Sequence, residues 1–138
     1  MDKAREHIAR GIVCKDGKIL LCKNIAGGYC FLPGGHVEEN ESSKEALERE
    51  FLEESGTAVT VIRYVGSFHN EFESSGKTIQ EVLDIHLIKI ENDHVESKEG
   101  HIGFSWIPLK EIHNTRILPE KLIPEIVSIV KENEDIWK

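Results

Sequence analysis

The sequence of 138 residues lacks the features that mark several broad classes of protein. No apolar run approaches the roughly 20 residues that a membrane-spanning helix needs. The opening segment, Met1-Asp2-Lys3-Ala4-Arg5-Glu6, leads into a short strand-like stretch without the long apolar core of a signal peptide. A cytoplasmic protein with no membrane partner is expected. Cysteine is scarce: Cys14, Cys22 and Cys30 form an odd set with no C-x-x-C pair, which argues against a disulfide framework and against a zinc clamp. All three read as small apolar residues of the interior. Basic side chains are outnumbered, 17 Lys and Arg against 25 Asp and Glu, for a net charge of −8. Bulk nucleic acid, which is held by clustered cations, is therefore not an expected partner. A small polyanion is still admissible where a divalent metal mediates the contact. There is no internal repeat, low-complexity tract or Pro/Gly-rich linker, so residues 1–138 are expected to form one domain.

What is present suits a globular protein, 39% hydrophobic and 30% charged. Two strand-like runs, His7 to Lys15 and Lys18 to Lys23, flank Asp16-Gly17, a dipeptide suited to the positive φ angles of a tight hairpin, which would set Cys14 opposite Ile19. Tyr29 to Leu32 is a short extended piece stopped by Pro33-Gly34-Gly35. Ser42 to Ser55 is made of good helix formers, with Ser42 or Ser43 able to cap its start and Gly56 placed to end it. Strands are expected at Thr57 to Phe68, at Thr78 to Ile90 after a polar tip over Glu73 to Lys77, and at Ile102 to Pro108 beyond a charged loop. Leu122 to Val130 has the spacing of an amphipathic helix with Pro124 in its first turn. The order predicts the α+β class: an α/β/α sandwich in which a mixed sheet lies between two main helices.

Glu50, Glu53 and Glu54 sit on the first helix, and at about 100° per residue they fall within an arc of about 100°. Leu47 and Phe51 border that arc and must face the core, which places the acids at the edge of buried structure. Like charges at this spacing repel, and Arg49 offsets only part of it. A hard divalent ion would offset the rest: Mg²⁺ binds through one or two carboxylates plus the phosphates of a substrate, and Mn²⁺ fits as well. The seven histidines are scattered without paired spacing, and none is assigned to metal.

Gly35, five residues, Glu41, seven residues and then Arg49-Glu50-Phe51-Leu52-Glu53-Glu54-Ser55-Gly56 resembles the signature box of the Nudix (MutT-like) hydrolase family. Gly27-Gly28-Tyr29 and Phe31-Leu32-Pro33-Gly34-Gly35-His36-Val37-Glu38 resemble the family's lead-in, and Phe104-Ser105-Trp106-Ile107-Pro108-Leu109 resembles its closing strand. Three positions depart from the pattern. Thr57 replaces an aliphatic residue, Asn40 a glycine, and Cys30 a frequent tryptophan, which puts base stacking at that position in doubt.

The resemblance implies hydrolysis of a nucleoside diphosphate linked to another group, with Glu50, Glu53, Glu54 and the Gly34 carbonyl as metal ligands and Arg49 orienting Glu50. Gly35, Glu41 and Gly56 would then be structural letters of the motif. A general base often lies outside the box, and Glu99, in Lys98-Glu99-Gly100-His101, is the first choice, with Glu81 second. Arg10 and Lys23 are candidates for phosphate contact, and Tyr29, Phe31 and Phe72 for the base. The expected partner is a small nucleotide and the expected cofactor Mg²⁺ or Mn²⁺. A rival from another class is a sensor that binds a nucleotide or an ADP-ribose-like ligand without hydrolysing it, although a pure binder need not retain mutually repelling acids. The subclass marks for ADP-ribose, dinucleoside polyphosphates and coenzyme A are absent, with Phe72-Glu73-Ser74-Ser75 in the diagnostic stretch. A housecleaning role on oxidised nucleotides has no marker of its own, and oligomeric state is left open.

Overall fold

The computed structural model describes residues 3–92 and 94–138. Strand β1 (Lys3–Ile12) is followed by a short β2 (Cys14–Lys15), which turns through Asp16 and Gly17 into β3 (Lys18–Asn24). The turn has φ of 50° and 76° at those two residues, and the register sets Cys14 opposite Ile19, as the dipeptide predicts. After β4 (Tyr29–Phe31), β5 (Gly34–His36) pairs antiparallel with β1 through Ile8–His36, Ala9–Gly35 and Arg10–Gly34. A bare turn was expected at Pro33-Gly34-Gly35. The strand forms because Gly34 has no side chain: at its φ of +142° a Cβ would lie 1.9 Å from the Ala9 carbonyl oxygen.

Helix α1 (Ser43–Ser55) begins with a reciprocal capping box. Ser42 Oγ accepts the Glu45 N–H at 3.1 Å, and Glu45 Oε1 accepts the Ser42 N–H at 3.1 Å. Gly56 ends the helix in the left-handed region, its N–H donating to the Leu52 carbonyl at 2.8 Å. Strands β6 (Val59–Ser74) and β7 (Lys77–Ile90) then form a long hairpin turning only at Ser75 and Gly76. The polar tip is thus shorter than expected, because Glu73 and Ser74 still pair with Thr78 and Lys77. Strand β8 (Ile102–Pro108) and helix α2 (Leu122–Glu132) complete the main elements.

The central sheet has the order β5-β1-β7-β6, with β1 parallel to β7 and the other pairs antiparallel, so it is mixed as expected. Its two faces meet different helices. Leu47 and Phe51 of α1 pack with Ala9, Val13 and Ile88, whereas Leu122, Ile126 and Val130 of α2 pack with Ile8, Ile12, Leu83, Ile85 and Leu87. A second sheet, built on β3 with β2, β4 and β8, closes the ends of both cores with Leu20 on one side and Ile19 and Leu21 on the other. Each such side chain contributes about 1.5–3 kcal/mol on burial. Among the described residues no helix is long and apolar enough to cross a membrane.

Candidate active site

Burial of Leu47 and Phe51 fixes the rotation of α1, and the rotation carries Glu50, Glu53 and Glu54 to its edge facing β5 and the loop before β8. Arg49 organises the first part of this edge. Its guanidinium grips Glu41 with two bonds, Nε to Oε2 at 2.7 Å and Nη2 to Oε1 at 3.0 Å. Nη2 also donates to the His36 carbonyl at 3.0 Å, and Nη1 donates to Glu50 Oε1 at 2.8 Å and to Glu53 Oε2 at 3.3 Å. One side chain therefore ties the strand end, the loop and two helix carboxylates together. The grip of Arg49 and the Glu38 N–H hold the Glu41 carboxyl down at about 2.

Gly35 lies directly under Glu50. A Cβ there would stand 2.4 Å from Glu50 Cδ and Oε2, so the carboxylate occupies the space that glycine leaves. The hydrogen bonds from Gly11 N to the Pro33 carbonyl and from Val37 N to the His7 carbonyl alternate along the pair. That alternation turns the Gly34 and His36 carbonyls away from β1. Arg49 takes the second of them, and among the described residues no side chain donates to the first.

Glu54 is only 9% exposed. Burial, a hydrogen bond to Glu50 and the charges of Glu50 and Glu99 push its carboxyl up to about 8, with Arg10 opposing. Glu99 reaches it because the Lys98 N–H donates to the Glu54 carbonyl at 2.8 Å, docking the loop on the last turn of α1. Glu53, by contrast, is mostly exposed and engaged by Arg49. Among the described residues no three carboxylate or imidazole groups form a closed metal cage. An open edge of one or two carboxylates and a free carbonyl is the donor set that suits a hydrated Mg²⁺.

Beside the acids, on the α2 face of the central sheet, opens a cleft of about 470 Å³, within the range of small-molecule sites. It gathers Arg10, Tyr29, Phe31, Phe72 and Glu81 from the candidate set. Arg10 Cζ sits 5.2 Å from the centroid of the Phe31 ring, and burial draws its pKa down against the charges of Glu54, Glu81 and Glu50. Arg10 therefore stands between the acids and the cleft. Lys23 does not join them; it lies on β3 between Cys30 and Gly103. Asn70, Leu118, Pro119 and Leu122 also line the cleft and were not anticipated. The pairing of β6 with β7, which sets Asn70 beside Glu81, would have found the first; nothing local in the sequence marks the others. His86, without a metal role in the sequence, receives one in packing: its Nε2 lies 2.8 Å from Ser43 Oγ at the start of α1.

The NUDIX domain model matches residues 5–126. The chain is 32% identical over 135 residues to the putative 8-oxo-dGTP diphosphatase YtkD of Bacillus subtilis (strain 168), covering 91% of this chain and 80% of that one. It is 36% identical over 77 residues to an 8-oxo-dGTP diphosphatase of Proteus vulgaris, covering 52% and 69% of the two chains. In structure it resembles the E. coli ORF135 protein, with a TM-score of 0.71, 29% identity and coverage of 94% and 92%.

Proposed function

Because the chain belongs to the Nudix family and is an enzyme acting on pyrophosphate bonds, we propose that it is a divalent-metal-dependent nucleotide pyrophosphohydrolase. Its acid edge would hold the metal and its adjoining cleft the nucleoside. The observation that carries this reading is the acid edge of α1, where Glu54, only 9% exposed, stands one turn from Glu50, which Arg49 holds over Gly35. Such crowding opposes folding and becomes useful when a cation and a phosphate chain share the space. The names of the two diphosphatase relatives support a nucleotide as the substrate. Residues 1–138 are proposed to act as one domain.

The residues that fit the metal are Glu50, Glu54 and the Gly34 carbonyl, with Glu53 at the solvent edge; Mg²⁺ and Mn²⁺ both suit hard oxygen donors. When bound, the ion supplies charge neutralisation on the phosphates and acidifies a coordinated water. Arg49 keeps Glu50 aimed over Gly35 by bonding one oxygen and leaving Oε2 toward the glycine. Glu99 would take a proton from the attacking water, a role supported by the backbone bond of Lys98 that docks its loop on the last turn of α1. Arg10, its Cζ 5.2 Å from the centroid of the Phe31 ring, would offer its guanidinium to the phosphate chain. Tyr29, Phe31 and Phe72 give the cleft its aromatic walls for the nucleoside.

The test is a panel of nucleoside triphosphates assayed for pyrophosphate and phosphate release with Mg²⁺ and with Mn²⁺, repeated on Glu54→Gln. Metal-dependent release that falls at least a hundredfold in the variant is expected. Full activity in Glu54→Gln, or no release from any nucleotide, would overturn the proposal.

A further inference from the structure

A second polar cluster lies on the α1 face of the central sheet, under the first turn of the helix. His86 of β7 is 5% exposed, with Gly11 of β1 and Tyr64 of β6 as its register partners. Its Nε2 lies 2.8 Å from Oγ of Ser43, the first residue of α1. Asp84, two residues earlier on the same face, is bonded by Ser67 of β6 at one oxygen and by His7 of β1 at the other, the latter at 2.6 Å. Burial works against the charge of Asp84, but bonds from Ser67, His7 and Ser43 hold its carboxyl below the ordinary value. With the Ser43 hydroxyl turned to Asp84, His86 Nε2 is the donor to Ser43 Oγ. That leaves His86 Nδ1 as a bare acceptor, buried and without a hydrogen-bond partner among the described residues. A leucine would fill this strand position with no unsatisfied atom, so the histidine calls for a reason beyond packing.

Resting on the pyrophosphohydrolase reading above, we infer that His86 and Ser43 are positioning residues for the reaction, a pin that sets where α1 stands along its own axis. Leu47 and Phe51 fix the rotation of the helix. Apolar contacts have no direction, however, and resist sliding less sharply than a hydrogen bond, which weakens steeply once misaligned. Glu50 and Glu54 follow Ser43 by seven and eleven residues, which at about 100° per residue returns both to within about 20° of its direction. The pin and the two acids thus share one stripe of a rigid rod, and a slide at Ser43 is passed on to Glu50 and Glu54. Glu50 has little room for it, since its carboxylate fills the space over Gly35. Through Asp84 the root of the pin is braced by β1, β6 and β7 together. The cleft lies on the other face of the sheet, so the pin acts on the chemical step rather than on nucleotide binding.

The experiment measures kcat and KM with Mg²⁺ for the best nucleotide of the panel, beside thermal melts, in the wild type and in His86→Leu, Ser43→Ala and Ser43→Thr. His86→Leu is expected to melt no lower than the wild type, because the unpaired nitrogen leaves with the ring. It is nevertheless expected to lose kcat by about three- to tenfold while KM stays within about twofold. Ser43→Ala is expected to show the same fall in kcat, and Ser43→Thr, which keeps the hydroxyl, to return it to within about twofold of the wild type. A wild-type kcat in both His86→Leu and Ser43→Ala overturns the pin and leaves the pyrophosphohydrolase intact. So does a Ser43→Thr as slow as Ser43→Ala, or a loss of activity that follows the melting temperature across the set, as a merely structural contact would give. If His86→Leu does not fold, Ser43→Ala against Ser43→Thr decides by the same criteria. Absence of hydrolysis of every nucleotide by the wild type removes the reading on which the pin rests, and the pin with it.

Discussion

Replacing Gly35 with alanine should separate catalysis from stability more cleanly than any other single change in the protein. The added Cβ would meet Glu50 Cδ and Oε2 at 2.4 Å and Cγ at 2.7 Å. Carbon contacts are comfortable at about 3.5–4.0 Å, so the Glu50 carboxylate must retreat by about 1 Å or more. The backbone of Gly35 is not in the left-handed region. Alanine there costs the chain little and restricts the unfolded state, an effect of about 0.4–1 kcal/mol in its favour. The displaced carboxylate is another matter, since a misplacement of about 1 Å in a catalytic constellation costs up to about a hundredfold, or ~2.7 kcal/mol of barrier. Initial rates of pyrophosphate release at saturating Mg²⁺, measured beside thermal melts, should show kcat/KM down by ten- to a hundredfold with a melting temperature close to that of the wild type. A kcat/KM within twofold of wild type would refute the placement of Glu50 at the reaction centre. The neighbouring Gly34→Ala should fail differently, by loss of folding, because its Cβ meets backbone 1.9 Å away at a φ of +142°.

Glu54 gives a pH prediction whose sign is fixed by the direction of its shift. The folded state holds its proton up to about 8, so the contribution of Glu54 to the stability of the metal-free protein is fully present below the ordinary carboxylate range and is lost as pH rises from about 4.5 through 8, by on the order of a few kcal/mol. Chemical denaturation in EDTA at pH 5 and pH 8 should reveal that loss in the wild type and a flatter dependence in Glu54→Gln; an equal slope in both would remove Glu54 as its source. Glu99→Gln should lower kcat by tenfold or more with an unchanged melt, and wild-type turnover in this variant would take Glu99 out of the reaction. Arg49→Lys keeps the charge but cannot make the two-bond grip on Glu41, so activity should drop by more than tenfold; a normal kcat/KM would show the grip to be dispensable. Phe51→Ala should destabilise the fold by about 3–5 kcal/mol, read from the denaturation midpoint, since the ring is fully buried between α1 and the sheet.

The features that declared themselves in the sequence are those whose cause is local. The cap offered by Ser42 or Ser43, the stop at Gly56 and the turn at Asp16-Gly17 need only near neighbours, and the structure has Ser42 as the cap and the other two where the residues place them. The acids of α1 were legible because helical geometry converts spacing into direction. What was not legible depends on pairing between distant segments. Strand β5 exists only because β1 lies beside Gly34, and β6 runs on to Ser74 because β7 supplies partners as far as Lys77. Asn70 is unremarkable in its own stretch and gains meaning from Glu81 across the hairpin. Arg10, Tyr29 and Phe31 converge on the cleft, whereas Lys23, on the same sheet as the two rings, is opposite Cys30 between them and so belongs to the other face of that sheet.

Isothermal calorimetry of Mn²⁺ and Mg²⁺ into the wild type and into the double variant Glu50→Gln/Glu54→Gln, with melts recorded alongside at pH 8, bears most directly on the acid edge as a metal site. The account predicts uptake by the wild type together with stabilisation that grows with metal, about 2.7 kcal/mol at a hundred times the dissociation constant, and neither response in the double variant. No uptake by the wild type, or the same uptake by both proteins, would contradict it.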